Sequence, residues 1–209
     1  MYDLEEQEKI DAVKDWWKRH GNAVMLAVGV FAASFAGVQG WRHYQQTQIE
    51  KAAALYESVE QAARGIDAKK TAAAAQTLID GYPGSAYASR AALLSARAAY
   101  EAGAVDEAKV RLQWVIDNSK EPSLQGLARL RLARIAAGEK KYPEALALLA
   151  ALGDPSFSAL SSDLKGDILA AQGKPAEART AYRIVVDSPG AAQIKQLAQI
   201  KLDALGDAK

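Results

Sequence analysis

The chain has 209 residues, of which half are hydrophobic and only 7% aromatic, and its formal net charge is +1. This near-neutral balance gives no indication of a nucleic-acid partner. The sequence contains no cysteine, which excludes disulfides, cysteine zinc sites and thiol catalysis.

The N-terminal segment, residues 1–21, has its apolar side chains at helical spacing: Ile10, Val13, Trp16 and Trp17. This pattern predicts a short amphipathic helix that lies on a membrane surface as a cytoplasmic tail. Gly21 and Asn22 come after it, and they predict a break before the next helix.

Residues 23–41 form an apolar run of 19 residues without an ionisable side chain. As a helix the run would be roughly 28 Å long, close to the hydrocarbon thickness of a bilayer. It predicts a transmembrane helix over residues 22–44. Side chains typical of membrane interfaces flank it on both sides: Trp16, Trp17, Trp41, Arg42 and Tyr44.

Two other interpretations of the apolar run stay open at this point. It could be the core helix of a soluble domain. It could also be a signal peptide that is cleaved near Ser34-Phe35-Ala36, although the segment before it is long and acidic and the run continues past Ala36.

The orientation is predicted from the basic residues near the two ends of the span. Four precede it (Lys9, Lys14, Lys18 and Arg19), whereas Arg42 and Lys51 lie shortly after it. The excess before the span predicts a cytoplasmic N-terminus and a C-terminal part on the outer side of the membrane.

Small residues recur at every fourth position of the span and predict close packing against another membrane helix. One row holds Gly29, Ala33 and Gly37, and a parallel row holds Ala36 and Gly40. No Pro or Gly occurs between Trp41 and Arg64. We therefore expect the membrane helix to continue into the first soluble helix and to hold the C-terminal part of the chain at a defined distance from the bilayer.

The remainder, residues 45–209, contains no strand pattern, and Gly and Pro divide it into amphipathic segments. The predicted helices after the one ending near residue 64 cover 68–80, 85–102, 105–118, 123–137, 142–152, 156–172, 175–187 and 190–205. An apolar stripe on the last of them predicts that it caps the end of the domain.

Three of the segments resemble one another: "YEAGAVDEA" at 100–108, "AGEKKYPEA" at 137–145 and "AAQGKPAEA" at 170–178. Their starts are 37 and 33 residues apart, which is the spacing of tetratricopeptide (TPR) repeats. The predicted fold class is therefore all-α: a transmembrane helix, then a right-handed TPR-like solenoid of three to four helical hairpins and a capping helix. Small residues stand where the helices of a hairpin cross: Ala96, Ala133, Gly166, Ala108, Ala145 and Ala178.

The first helices of TPR hairpins line a groove that binds other proteins. The repeat register places Arg97, Arg134 and Asp167 at one equivalent position. The other predicted groove residues are Arg90, Leu93, Tyr100, Leu130 and Asp163. For Asp163 and Asp167, four residues apart, a solvated helix face is expected.

Catalytic chemistry is not indicated. The two histidines, His20 and His43, flank the span and are predicted to lie on opposite faces of the bilayer. No glycine-rich phosphate loop occurs. The sequence predicts no catalytic residue, no metal site and no cofactor.

The arrangement of "DAVKDWWKRHG", one membrane helix, "GWRHYQQTQIEKAAALYESV" and a divergent TPR tail resembles the YfgM-like family of ancillary SecYEG translocon subunits. The resemblance implies a non-enzymatic, single-pass adaptor of the bacterial inner membrane, with its N-terminus in the cytoplasm and its repeat domain in the periplasm. It implies two partners, the SecYEG translocon and a membrane-anchored periplasmic chaperone of the peptidyl-prolyl isomerase type. The alternative hypothesis is a TPR scaffold of the cell envelope or division machinery that forms homo-oligomers.

Overall fold

The computed structural model describes residues 2–190 and 192–206, with side chains from Glu8 onward within those ranges. This part of the chain contains nine α-helices, one 3-10 helix and no strand, so the all-α prediction is confirmed. The helices are α1 Tyr2–Arg64, α2 Ala68–Gly81, α3 Ala86–Glu101, α4 Val105–Asn118, α5 Pro122–Gly138, α6 Tyr142–Ala150, α7 Ser158–Ala171, α8 Pro175–Asp187 and α9 Ala192–Ala204, with the 3-10 helix at Pro155–Phe157.

The chain divides into two compact units, Met1–Glu50 and Lys51–Lys209. Within the first unit the predicted break at Gly21 and Asn22 is wrong, because α1 passes through both residues. One glycine costs a helix only about 1 kcal/mol. Here it also makes room for a side chain, since a Cβ on Gly21 would lie 3.2 Å from Nε1 of Trp17. The N-terminal segment is therefore not a separate surface helix.

The apolar run of the first unit is exposed. Phe31 is 73% and Leu26 70% accessible, and only 6% of the most apolar 18-residue window is buried. Core helices of soluble proteins are mostly buried, so this observation contradicts the core-helix interpretation. In the described part of the chain, α1 is the one helix long and apolar enough to cross a membrane. It also extends beyond Trp41, as expected.

The second unit is a row of helical hairpins in which each helix packs mainly on its neighbours in sequence. The hairpins are α3/α4, α5/α6 and α7/α8, and the end of α1 with α2 precedes them. Ala52 and Val59 of α1 are fully buried in the same apolar cluster as Leu78 of α2. The end of α1 and α2 therefore supply a fourth helix pair, the upper end of the predicted three to four hairpins.

The small residues at the helix crossings are buried, as the repeat pattern requires. Ala108, Ala133, Ala145 and Ala178 are all 0% exposed. In the third hairpin the small residue is Gly166, and a Cβ there would lie 2.6 Å from Cδ1 of Tyr182. The large ring of Tyr182 thus occupies the space that a side chain at residue 166 would need.

The turns inside the three clear hairpins have the same backbone geometry. Each contains one residue in the left-handed region: Gly103 (φ 80°), Lys140 (φ 61°) and Gly173 (φ 73°). The amide of the next residue returns to the carbonyl five positions earlier, as in Ala104 to Ala99 at 2.9 Å. This pairing is the Schellman motif, which satisfies carbonyl groups left free at a helix end. In the second hairpin the left-handed residue is Lys140 and not a glycine.

The last helix, α9, packs on α8 and α7. Ala198 is fully buried, and Ile194, Leu202 and Leu205 pack around it in the apolar cluster that Tyr182 and Val185 share. The guanidinium of Arg179 donates to the Leu205 carbonyl at 2.8 Å, just past the C-terminal end of α9. A positive charge at this end of a helix is stabilised by the helix dipole. The predicted capping role of this helix is confirmed.

Candidate functional site

A cleft of about 360 Å³ opens between α3 and α5, the first helices of two successive hairpins. Its size falls within the about 300–1,000 Å³ of ordinary ligand pockets. The lining residues are Ala96, Arg97, Tyr100, Leu112, Arg131, Arg134 and Ile135.

The floor of the cleft is apolar and belongs to the packed core. Ala96 is 2%, Leu112 2% and Ile135 8% exposed. The small side chain at Ala96 leaves the floor open, while Leu112 of α4 closes it from below. The rim is polar and accessible, since Arg97, Tyr100 and Arg134 are exposed. Such a combination can hold an apolar group below and a charged group above.

Three guanidinium groups dominate the electrostatics of the cleft. Arg97 donates from Nε to Oε1 of Glu101 at 2.7 Å, an exposed pair within α3. Arg131 is half-buried, and its Nη1 donates to the Leu93 carbonyl at 3.3 Å. Arg134 lies at the solvent-facing edge. No carboxylate is among the lining residues, so the described cleft carries excess positive charge.

The position of Arg131 is electrostatically unfavourable for a cation. Burial, followed by the charges of Arg97 and Arg134, lowers the pKa of the Arg131 guanidinium. Arginine nonetheless stays protonated at neutral pH. The protein therefore keeps a half-buried charge beside two like charges, which an anion in the cleft would stabilise.

Of the predicted groove residues, Arg97, Tyr100 and Arg134 are brought together at this cleft. Leu93 and Leu130 are not groove residues: they are 6% and 3% exposed and belong to the apolar clusters beneath it. Arg90 contacts the chain itself, through an ion pair of 3.1 Å with Glu121.

Asp163 and Asp167 correct another expectation, because they do not form a solvated face. Asp163 is 8% exposed, and Lys201 of α9 lies 2.8 Å from its Oδ1 and 2.7 Å from Oδ1 of Asp167. The hydroxyl of Tyr182 also donates to Asp167 at 2.8 Å. The acidic end of the predicted groove is therefore occupied by the chain's own last helix.

These contacts shift the titration of their partners. Burial opposes the charge of Lys201, but hydrogen bonds to the two aspartates outweigh it and raise the lysine pKa. Burial and the hydrogen bond to Asp167 raise the pKa of Tyr182. Both groups thus hold their protons more tightly in the folded chain.

Sequence reasoning missed Arg131, the central arginine of the cleft. In the repeat register it is equivalent to Leu94 and Leu164, which are apolar. An arginine at a position that other repeats fill with leucine was the available signal.

In the first unit, the predicted interface residues are accessible. The exposed fractions are 52% for Trp16, 51% for Trp17, 62% for Trp41 and 56% for Tyr44, and Arg42 is exposed as well. Trp41 and Tyr44 form a tilted ring pair with centroids 6.0 Å apart. Along a helix, the 24 residue steps from Trp17 to Trp41 span roughly 36 Å, between the hydrocarbon thickness and the full thickness of a bilayer.

The small-residue rows of the span are open in this chain. A Cβ at Gly29, Gly37 or Gly40 would have no atom within 4 Å. Ala33 and Ala36 are exposed beside them. Another helix would therefore meet no side chain of the described part of this chain at these glycines.

Comparison with known proteins gives one consistent result. The tetratricopeptide repeat-like domain family matches residues 14–207. The chain belongs to this family. A curated relative from Neisseria gonorrhoeae, named ancillary SecYEG translocon subunit, is 33% identical over 97% of this chain and 98% of its own length.

Proteins of the same name from Haemophilus influenzae and Escherichia coli are 29% and 25% identical. The aligned regions cover 98% and 96% of this chain, and 99% and 96% of the respective relatives. No solved structure matches the chain. The relatives confirm the YfgM-like resemblance drawn from the sequence, and the match includes the apolar span as well as the repeats.

Proposed function

We propose that the protein is a non-enzymatic, membrane-anchored TPR adaptor that associates with the SecYEG translocon. The observation that carries this proposal is the near full-length match to ancillary SecYEG translocon subunits, which includes the membrane span. The exposed apolar run and the protein-binding architecture of the repeats support it.

The proposed topology is a single-pass inner-membrane protein with an uncleaved anchor. Four basic residues before the span and two shortly after it favour a cytoplasmic N-terminus and a periplasmic repeat domain. The interface residues Trp16, Trp17, Trp41, Arg42 and Tyr44 would set the depth of the span in the bilayer.

The proposed contact with the translocon uses the small-residue rows of the span. In lipid, membrane helices associate through close packing of Gly and Ala, because lipid tails are as apolar as leucine side chains. The rows at Gly29, Ala33 and Gly37, with Ala36 and Gly40 beside them, would let a SecYEG helix approach closely.

The proposed role of the repeats is to bind a second protein during export. A membrane-anchored periplasmic chaperone of the peptidyl-prolyl isomerase type is the partner that the family resemblance implies. The protein would then connect newly exported chains to periplasmic folding factors.

Purification from membranes in mild detergent tests the translocon association. We expect SecYEG to co-purify with the full-length protein. Replacing Gly29 and Gly37 with Leu keeps the span apolar but fills the row, and should reduce SecYEG recovery at unchanged membrane insertion. Val30→Leu with Val38→Leu is the matched control. Recovery of a homo-oligomer without SecYEG would favour the scaffold hypothesis instead.

A further inference from the structure

The cleft between α3 and α5 differs in charge from the cleft next to it. The neighbouring cleft, about 410 Å³, shares Arg97 and is also lined by Glu60, Arg64 and Glu101. There each arginine has a carboxylate partner: Arg64 lies 3.4 Å from Glu60 and Arg97 lies 2.7 Å from Glu101. In the cleft of Arg97, Arg131 and Arg134, no acidic residue is among the described lining residues, and only Arg97 has a carboxylate partner, Glu101.

Its shape combines this charge with apolar surface. The floor of Ala96, Leu112 and Ile135 lies below the guanidinium groups, and the exposed ring of Tyr100 stands at the rim. Tyrosine and arginine are enriched at the centres of protein interfaces, where they supply most of the binding energy.

We propose that this cleft binds an acidic segment of a partner polypeptide in which a carboxylate stands beside an apolar side chain. The carboxylate would lie among Arg97, Arg131 and Arg134, and the apolar side chain would contact the floor. This proposal rests on the adaptor role given above and specifies the chemistry that its repeats recognise.

Charge complementarity is the first argument for this occupant. The planar guanidinium presents paired donors that match the two oxygens of a carboxylate. Glu101 already makes such a contact with Arg97 from the same helix, and an exposed pair of this kind holds the arginine only weakly. Arg97 can therefore exchange Glu101 for a carboxylate from a partner.

The half-buried Arg131 is the second argument. Its surroundings disfavour its charge, through burial and two like charges. An incoming carboxylate would remove this penalty, whereas an apolar peptide would increase it. Recognition of acidic motifs by arginine clusters is a recurring mode of peptide binding.

The apolar floor distinguishes a peptide from a phosphate-bearing surface. A lipid headgroup or free phosphate would use the arginines but leave Leu112 and Ile135 uncovered. An acidic peptide with aliphatic neighbours would use both parts of the cleft.

The test measures peptide binding to the full-length protein in nanodiscs of zwitterionic lipid. The probe is a short fluorescein-labelled peptide that alternates Glu and Leu, and its partner probe has Gln in place of Glu. By fluorescence anisotropy we expect the Glu peptide to bind at least tenfold more tightly, with an affinity that falls as salt is added.

The variants use arginines whose loss leaves the core intact. Arg134→Gln is expected to weaken binding of the Glu peptide about tenfold, and Arg97→Gln with Arg134→Gln to weaken it further. Arg183→Gln, an exposed arginine on α8, is the matched control and should change nothing. Unchanged circular dichroism and melting temperature would establish that each variant is folded.

Equal binding of the Glu and Gln peptides, or no binding of either, would overturn the proposal. So would an Arg134→Gln variant that binds the Glu peptide normally. If Arg134→Gln loses binding to phosphatidylglycerol vesicles while the peptide never binds, the cleft is a headgroup site and the proposal is wrong. Co-purification of SecYEG tests the adaptor role independently, so either conclusion can fail without the other.

Discussion

The two units of this protein use apolar residues in opposite ways. In the first, Phe31 and Leu26 are 73% and 70% exposed on a single helix. In the second, residues such as Leu112 and Val59 are 2% or less exposed within helical hairpins. The same helix, α1, carries both Phe31 and Val59. The difference is the one expected if the apolar run of the first unit lies in lipid, as in the membrane anchor proposed above.

Charged residues placed in the apolar run are expected to have the largest effect, because they oppose membrane insertion of the first unit. Phe31→Arg with Phe35→Arg should raise the free energy of the inserted helix by about 5–7 kcal/mol, at about 2.5–3.5 kcal/mol for each arginine. Carbonate extraction of membranes should then release the protein. Ile10→Arg with Val13→Arg, outside the run, should leave it embedded. Retention of the Phe31 and Phe35 variant would contradict a lipid environment.

A methyl group added at Gly166 tests the helix packing of the second unit. Gly166→Ala is expected to lower the free energy of unfolding by about 1–3 kcal/mol, because the new Cβ meets the ring of Tyr182. Chemical denaturation of the repeat domain measures this. Gly37→Ala in the span and Gly138→Ala at the end of α5 meet no atom within 4 Å, so neither should destabilise the repeats. Equal effects at all three glycines would argue against the described packing.

The ion pairs between α9 and α7 are expected to make the next largest contribution to stability. Lys201→Met removes the partner of Asp163 and Asp167 and should cost about 1–2 kcal/mol of stability near neutral pH. Lys195→Met on the same helix is the control. A melting temperature as high as that of the parent protein would mean that the pairs do not stabilise α9.

The same contacts predict a loss of stability at alkaline pH. The pKa values of Lys201 and Tyr182 are raised in the folded chain. Above about pH 10 the unfolded chain therefore releases protons that the folded chain retains, and stability falls as the pH rises. Lys201→Met with Tyr182→Phe should flatten the decline in melting temperature above that pH. An unchanged slope would assign alkaline unfolding to other groups.

The smallest expected effect concerns the turn of the second hairpin. Lys140 has φ 61°, a conformation that costs a residue with a Cβ about 1 kcal/mol. Lys140→Gly is expected to stabilise the repeats by up to about 1 kcal/mol, whereas Gly173→Ala in the equivalent turn should destabilise them. Denaturant midpoints measure both. A destabilised Lys140→Gly variant would show that its side chain matters more than its backbone.

The helices and their order were predictable because Gly, Pro and the apolar period mark them locally. The spacing of Ala96, Ala133 and Gly166 also predicted the crossing points, since only small residues allow close approach. The break at Gly21 was predicted wrongly. A glycine inside a long helix costs little, and the contact with Trp17 that uses this glycine depends on side-chain packing.

The groove was only partly predictable. Leu93 and Leu130 lie four residues before Arg97 and Arg134, yet their side chains belong to the core. Successive residues turn by about 100° around a helix. A register that is wrong by one residue therefore assigns core residues to the groove and groove residues to the core. Asp163 stands at the position that Leu93 and Leu130 occupy in earlier repeats. Its partner, Lys201, comes from a helix 38 residues further along the chain, and no local pattern connects them.

Photo-cross-linking in intact cells tests most directly whether the exposed unit assembles with the translocon. A photoreactive residue at Leu26, which lies two turns before Ala33 on the same helix face and leaves the small-residue row open, is expected to capture a SecYEG subunit, and one at Phe31 should capture much less of it. Capture of SecYEG at Leu26 would support the membrane-anchored adaptor. Capture of only a second copy of this chain, or of no SecYEG subunit at all, would contradict it.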